Sequence, residues 1–208
     1  MTQVFLNYRS QDEVFGVHLL DTALSERFGS DQVFLDAKSI PLGAEWEPEM
    51  FGAIEKSAAL MVIMGRNWLG ATDDQGVRLI DKPQDFVRRE ILRAHELNKK
   101  IITVRLGVDR ITEHDLPVEL AWLPSRQDIG IGARTTRSDL DHLADKLRAL
   151  LPDLGSRQSG APAGQASRRT YIINGKTDYI SQGDTHVSGS FYAGSTVHHH
   201  HGDDGDDS

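Results

Sequence analysis

Glu90 and Phe86 lie four residues apart in the stretch Asp85-Phe86-Val87-Arg88-Arg89-Glu90-Ile91-Leu92-Arg93-Ala94. In a helix that spacing puts them on one face, about one turn apart. A flat ring stacked one turn below a carboxylate can hold a ring-bearing ligand against an acid. A plainer use of the same residues is a Glu90–Arg93 pair at i, i+3 with Phe86 in the core. The helix itself is expected from Val87, Ile91 and Ala94, which recur at i, i+4 and i+7 and so give an inward apolar stripe. Taken alone the stretch favours packing, so the case for chemistry has to come from the elements that would surround it.

The chain has 208 residues, room for one ordinary domain and an extension. It holds no cysteine, which excludes disulfides, thiol nucleophiles and Cys-based metal sites and fits a reducing compartment. Net charge is −8. Residues 155–208 contain four Arg/Lys and six Asp, so −2 sits there and −6 on the first 154 residues. That balance argues against non-specific nucleic-acid binding. No apolar run approaches the roughly 20 residues that span a bilayer. The N-terminus lacks the basic-then-apolar order of a signal peptide. The sequence therefore reads as cytoplasmic, with neither membrane nor nucleic acid as a partner.

Val4-Phe5-Leu6 suits a buried strand, closed by the polar Asn7-Tyr8-Arg9-Ser10-Gln11-Asp12. Phe15, His18, Leu19, Thr22, Ala23 and Phe28 predict a helix over 13–28, stopped by Gly29. Val33-Phe34-Leu35 is a second strand, and Asp36–Gly43 a loop marked by Pro41 and Gly43. Trp46, Met50, Ala53 and Ile54 predict a helix over 44–56. Ala58 to Met64 is apolar throughout, as a central parallel strand covered on both faces requires. Residues 65–83 read as a long irregular loop, functional or mobile. After the Phe86–Glu90 helix, closed by Asn98, come a strand at 101–106, a short helix at 116–122 and a weak strand at 128–131. A last helix begins near Ser138, with Leu140, Leu143, Leu147, Leu150 and Leu151 as its stripe, and ends at Pro152.

Strands alternating with helices argue for an α/β fold. Five strands in about 150 residues suit a flavodoxin-like parallel sheet with helices on both faces. Such sheets bind ligands beyond the C-terminal ends of their strands. Tyr8, Arg9, Asp36 and the Gly65–Trp68 turn fall at those ends.

Residues 155–170 are a linker by composition. Residues 171–197 are β-prone and punctuated by Gly183, Gly189 and Gly194, which suggests hairpins or a few solenoid rungs. Some 27 residues bury too little to fold alone, so pairing with other copies or with a β-templating partner is expected. The 198–208 tail, with His198–His201 and its run of Asp, reads as solvated or as a tag remnant, and no metal site is expected from it.

Taken together, Phe5-Leu6-Asn7-Tyr8-Arg9-Ser10, Val33-Phe34-Leu35-Asp36, Ile40-Pro41-Leu42-Gly43 and Asp85–Ile91 resemble the Toll/interleukin-1 receptor (TIR) domain family. In order and spacing they are similar to its bacterial and NAD-cleaving members in particular. The resemblance covers about residues 1–151, which makes 1–154 the TIR-like domain. It implies a five-stranded parallel sheet and self-association through the loop after the second strand, here Lys38, Ile40, Pro41 and Gly43. It also implies cleavage of NAD⁺, as substrate and not as cofactor, with release of nicotinamide. The essential carboxylate of such enzymes sits in an aromatic-x-x-x-Glu pattern, which places it on Glu90 with Phe86 as the ring. Phe stands where Trp is common, so stacking is retained and an indole N–H is lost.

Under that resemblance Arg9 would bind a phosphate or else form an ion pair. Tyr8 would face the ribose or pack on the first helix. Trp46 and Trp68 would stack on adenine or belong to the core or an interface. Asp36 would meet ligand or cap a turn, and Arg88 and Arg89 would attract phosphates or face solvent. The competing reading is a non-catalytic scaffold acting through TIR–TIR contacts. A phosphoacceptor of the response-regulator type needs clustered acids after the first strand and an Asp ending the third. Asn7-Tyr8-Arg9 and Gly65-Arg66 occupy those places, so that reading is set aside.

Overall fold

All six residues of Ala59–Met64 (β3) are buried, and the sheet is built outward from this strand. In the computed structural model, which describes residues 3–35, 39, 45–155 and the backbone of 169–173 and 176–180, β3 is the middle of five parallel strands. Val4–Asn7 (β1) and Lys100–Leu106 (β4) flank it. Val33–Phe34 (β2) pairs outside β1, and Asp128–Ile131 (β5) outside β4. The spatial order is β2-β1-β3-β4-β5, the flavodoxin-like order expected from the alternating pattern.

Alternation along β3 divides the interior in two. Ala59, Met61 and Ile63 face a cluster with Leu20 and Leu24 of Val14–Phe28 (α1) and Leu143 and Leu147 of Thr136–Leu150 (α4). Leu60, Val62 and Met64 face Met50 and Ile54 of Trp46–Lys56 (α2) and Val87 and Ile91 of Phe86–Glu96 (α3). The α3 stripe is thus the one its periodicity predicts. Asn98, at φ 53°, takes the left-handed position just beyond the C-cap residue Leu97 and ends the helix.

Three expectations change. In α1 the buried stripe is Val17, Leu20, Leu24 and Phe28, while Phe15 is 80% and Leu19 47% exposed. Apolar residues occur nearly all round α1, so spacing identified a helix but not its phase. The 116–122 region holds 3₁₀ turns at Val118–Leu120 and Leu123–Ser125 in place of an α-helix. Pro117 and Pro124 lack the N–H a longer helix would need. The 65–83 segment is long and irregular as expected, but it is packed and not loose. Trp68 and Ile80 are buried, a Thr72–Arg78 bridge closes a tight excursion, and the Asp73 carboxylate accepts from the N–H of Gln75 and of Val77.

At the C-terminal end of the chain, Arg169–Ile173 (β6) and Lys176–Ile180 (β7) form an antiparallel hairpin. The residues between them are Asn174-Gly175, the pair that two-residue hairpins favour. β6 starts two residues inside the stretch expected to be linker. The self-association loop (Asp36, Lys38, Ile40, Pro41, Gly43), most of the linker, the 181–197 stretch and the 198–208 tail lie outside the described residues. Among the described residues, no helix is long and apolar enough to cross a membrane.

Two outcomes test this packing. Leu20→Ala should lower unfolding free energy by about 2–5 kcal/mol in urea denaturation, whereas Phe15→Ala should change it by no more than about 0.5. At the start of α4, the Gly132 N–H (2.9 Å) and Thr135 hydroxyl (2.6 Å) hold the Asp139 carboxyl below the usual carboxylate range. A depressed folded pKa gives stability that is complete above about pH 4 and lost as pH falls through the folded value. Asp139→Asn should therefore flatten the acid limb of a stability-versus-pH series below about pH 4.

Candidate functional site

The six residues that leave β1 hold together the C-terminal end of the sheet. Asn7 is fully buried at the strand's last position. Its side-chain N–H donates to Glu90 Oε2 at 2.6 Å and to the Val87 carbonyl at 3.2 Å. Arg9, 4% exposed, donates from both terminal nitrogens to the two carboxylate oxygens of Asp85 at 2.8 and 3.0 Å, and from Nε to the Trp68 carbonyl at 3.2 Å. Asp12 accepts the N–H of Gly65 at 2.7 Å and of Asn67 at 2.8 Å. A Cβ on Gly65 would meet the Asp12 carboxylate oxygens at 2.7 Å and also Glu13 Cγ, so this turn needs glycine to come so close.

Asp85 has a second task. It is the N-cap of α3, and its carboxylate accepts from the Arg88 N–H at 3.1 Å. One buried acid thus fixes both the start of α3 and its approach to β1. Glu90 follows one turn on, 7% exposed, with Asn7 on one oxygen. Arg93 turns away to Glu55 and Glu96, so the i, i+3 pairing with Glu90 does not form. Phe86 is 37% exposed and meets the half-exposed Trp46 edge to face, with ring centroids 4.5 Å apart at 78°. The Arg89 guanidinium lies 5.1 Å from the Phe86 ring centre and pairs with Glu47.

Glu90, Phe86 and Trp46 are therefore brought together where α2 and α3 meet. Three other expected ligand residues are used differently. Arg9 is engaged in the buried ion pair and so is a clamp, not a phosphate contact. Trp68 is 1% exposed, and its ring belongs to the core beneath α3. Tyr8 is half-buried against the α1/α4 cluster, on the sheet face opposite α3. Arg88 is buried too, donating to the Asp81 carbonyl and pairing with Glu119. Asn7 and Asp12 were missed by sequence reasoning. Their signals were a polar residue ending an apolar strand, and a glycine directly after a buried one.

Glu90 is thus an oriented, nearly dry carboxylate one helical turn along from the partly exposed Phe86 ring. The family model for the TIR domain matches residues 4–148. This chain belongs to the TIR domain family. Among solved structures, the TIR domains of the activated Roq1 resistosome, which directly recognizes the pathogen effector XopQ, are similar to it. That match has 15% identity and a TM-score of 0.51, and covers 70% of this chain and 98% of the other. At such identity the likeness is one of fold. No curated protein matches the sequence.

The clamp of this TIR domain has a measurable weight. Asp85→Ala leaves a buried guanidinium without its anion and removes the α3 cap, and should cost about 3–5 kcal/mol in urea denaturation. Arg93→Ala, which breaks half-exposed pairs, should cost less than about 1 kcal/mol in the same measurement.

Proposed function

We propose that this TIR domain cleaves the bond between nicotinamide and ribose in NAD⁺, with Glu90 as the catalytic carboxylate. The observation that carries this reading is the Glu90 carboxylate itself, held by Asn7 at 2.6 Å beside the open Phe86 ring. Nicotinamide is a positively charged substituent in NAD⁺ and departs as a neutral base. The electron pair of the C1′–N bond goes to the ring nitrogen, so no general acid is needed. What the reaction needs is negative charge near the ribose as it becomes an oxocarbenium-like cation. One oriented carboxylate supplies that, and a ribose hydroxyl gives it a hydrogen bond. Phe86 lies against the nicotinamide ring, with Trp46 bracing it edge-on. Water then adds to C1′ and loses its proton to solvent, giving ADP-ribose; attack by an adenine nitrogen in its place gives the cyclic product.

Low exposure of Glu90 fits this role, since charge stabilisation is stronger where water is excluded. It also means that the ring must enter between α2 and α3. Contact between copies through the Asp36–Gly43 loop, at Lys38, Ile40, Pro41 and Gly43, links activity to assembly. The similarity to a TIR domain from a resistosome supports association between copies. The 171–197 segment, which opens on the β6–β7 hairpin, concentrates domains by β-templating. Bacterial antiviral defence in the cytoplasm is the setting the resemblance implies, where NAD⁺ loss halts an infected cell. The alternative is a scaffold that assembles through the same loop without turnover.

Glu90→Gln keeps size and removes charge. NAD⁺ consumption, followed by chromatography at high protein concentration, should fall by about 100-fold or more with the folded circular dichroism spectrum retained. Equal turnover in that variant would dismiss Glu90 as catalyst, and no nicotinamide from the unmutated chain would leave the scaffold reading.

A further inference from the structure

A cleft of about 660 Å³ opens at the other end of the sheet, where β4 and β5 begin and α3 and α4 end. Its volume is that of a small-molecule site. β5 pairs with β4 only from Thr103 onward, so Lys100, Ile101 and Ile102 run past it and line the opening. Ile102, Leu143 and Leu147 form apolar wall, and Leu150 stays 39% exposed at the rim.

The charge in this cleft is one-sided. Lys100, Arg126 and Lys146 line it together with His95 and His142, in a chain whose net charge is −8. Asp128 is the one acid in the lining. Burial works to raise its pKa, but Arg105 and Arg110 outweigh that, hold it below the usual carboxylate range and neutralise it. Neither the Lys100 nor the Lys146 ammonium group has an ion pair or hydrogen bond with a described residue. The two helix C-termini bring about half a negative charge each, less than the four full cations of the lining, Lys99, Lys100, Arg126 and Lys146. One wall is flat and fixed: the His95 ring stacks on Trp122 at 4.0 Å and 18°, and the Arg126 guanidinium lies 5.4 Å from the centre of that indole.

We propose that this cleft is a second binding site, for an anion carrying a flat ring, of the nucleoside-phosphate class. The lysines meet the phosphate, and the ring lies between the His95–Arg126 wall and the apolar side. The inference does not rest on NAD⁺ cleavage, since the cleft shares neither residues nor strand ends with Glu90. The helix α3 nonetheless runs from one to the other, with Glu90 near its start and His95 near its end.

The test uses the full chain and a fluorescent N-methylanthraniloyl derivative of AMP, which lacks the nicotinamide group, followed by anisotropy. Saturable binding, competed by unlabelled AMP and weakened by salt, is expected. The double variant K100E/K146E, changed only at exposed side chains, should bind about tenfold or more weakly, with K100A/K146A between it and the unmutated chain. Phe86→Ala should bind as well as the unmutated chain. The proposal is overturned by absence of saturable binding, by equal affinity in K100E/K146E, or by loss of binding in Phe86→Ala, which would put the probe at the Glu90 mouth.

Discussion

The structure depends on polar groups that follow β1 and cannot be left unpaired once the sheet is covered. Buried amides, guanidinium groups and carboxylates need partners of matching geometry. Here the partners lie 53 to 83 residues away. Asn7 reaches Glu90 and Val87, Arg9 reaches Asp85 and the Trp68 carbonyl, and Asp12 reaches Gly65 and Asn67. A segment of six residues therefore fixes the start of α3 and the turn after β3 relative to one strand end. Apolar packing decides that α3 lies on the sheet; these bonds decide where along the sheet it lies. Breaking the Arg9–Asp85 pair would loosen the end of the helix that carries Glu90, leaving its apolar stripe in place.

What could be read from sequence divides along the same line. Periodicity reveals apolar burial, so β3, α3 and the five-strand order were legible from runs and spacings alone. Phase failed in α1, where apolar residues nearly encircle the helix and Phe15 and Leu19 face outward. Long-range polar pairing has no periodic signature. Arg9 was equally consistent with a phosphate ligand and an ion pair, because the deciding partner, Asp85, is distant in sequence. Trp68 looked available for stacking for a similar reason. Nothing in Asn67-Trp68-Leu69 tells that the 3₁₀ turn at Leu79–Asp81 folds back and encloses the ring in the core.

The two ends of the sheet differ in kind. At the C-terminal ends, charge is paired inside the protein and the exposed Phe86 and Trp46 rings meet edge to face. At the N-terminal ends of β4 and β5, Lys100, Arg126 and Lys146 converge with no acidic side-chain partner among the described residues. Helix polarity gives part of the reason, since lysine, arginine and histidine gather where helix carbonyls end. The dipole accounts for the presence of cations but not for a cleft with apolar walls between them. The contrast follows from topology: β5 is short, so β4 outruns it at one end and leaves space that no element fills.

The placement of Glu90 also limits which chemistry is reasonable there. A carboxylate working as a general base needs water or a hydroxyl within reach and a pKa near the working pH. A carboxylate that opposes a transient positive charge needs to stay ionised, oriented and dry. Donation from Asn7 fixes one carboxylate oxygen, and 7% exposure keeps bulk water away. Both features favour the second role. On the proposed reading, the half-exposed Phe86 ring, one turn earlier on the same helix, offers the departing base a flat surface.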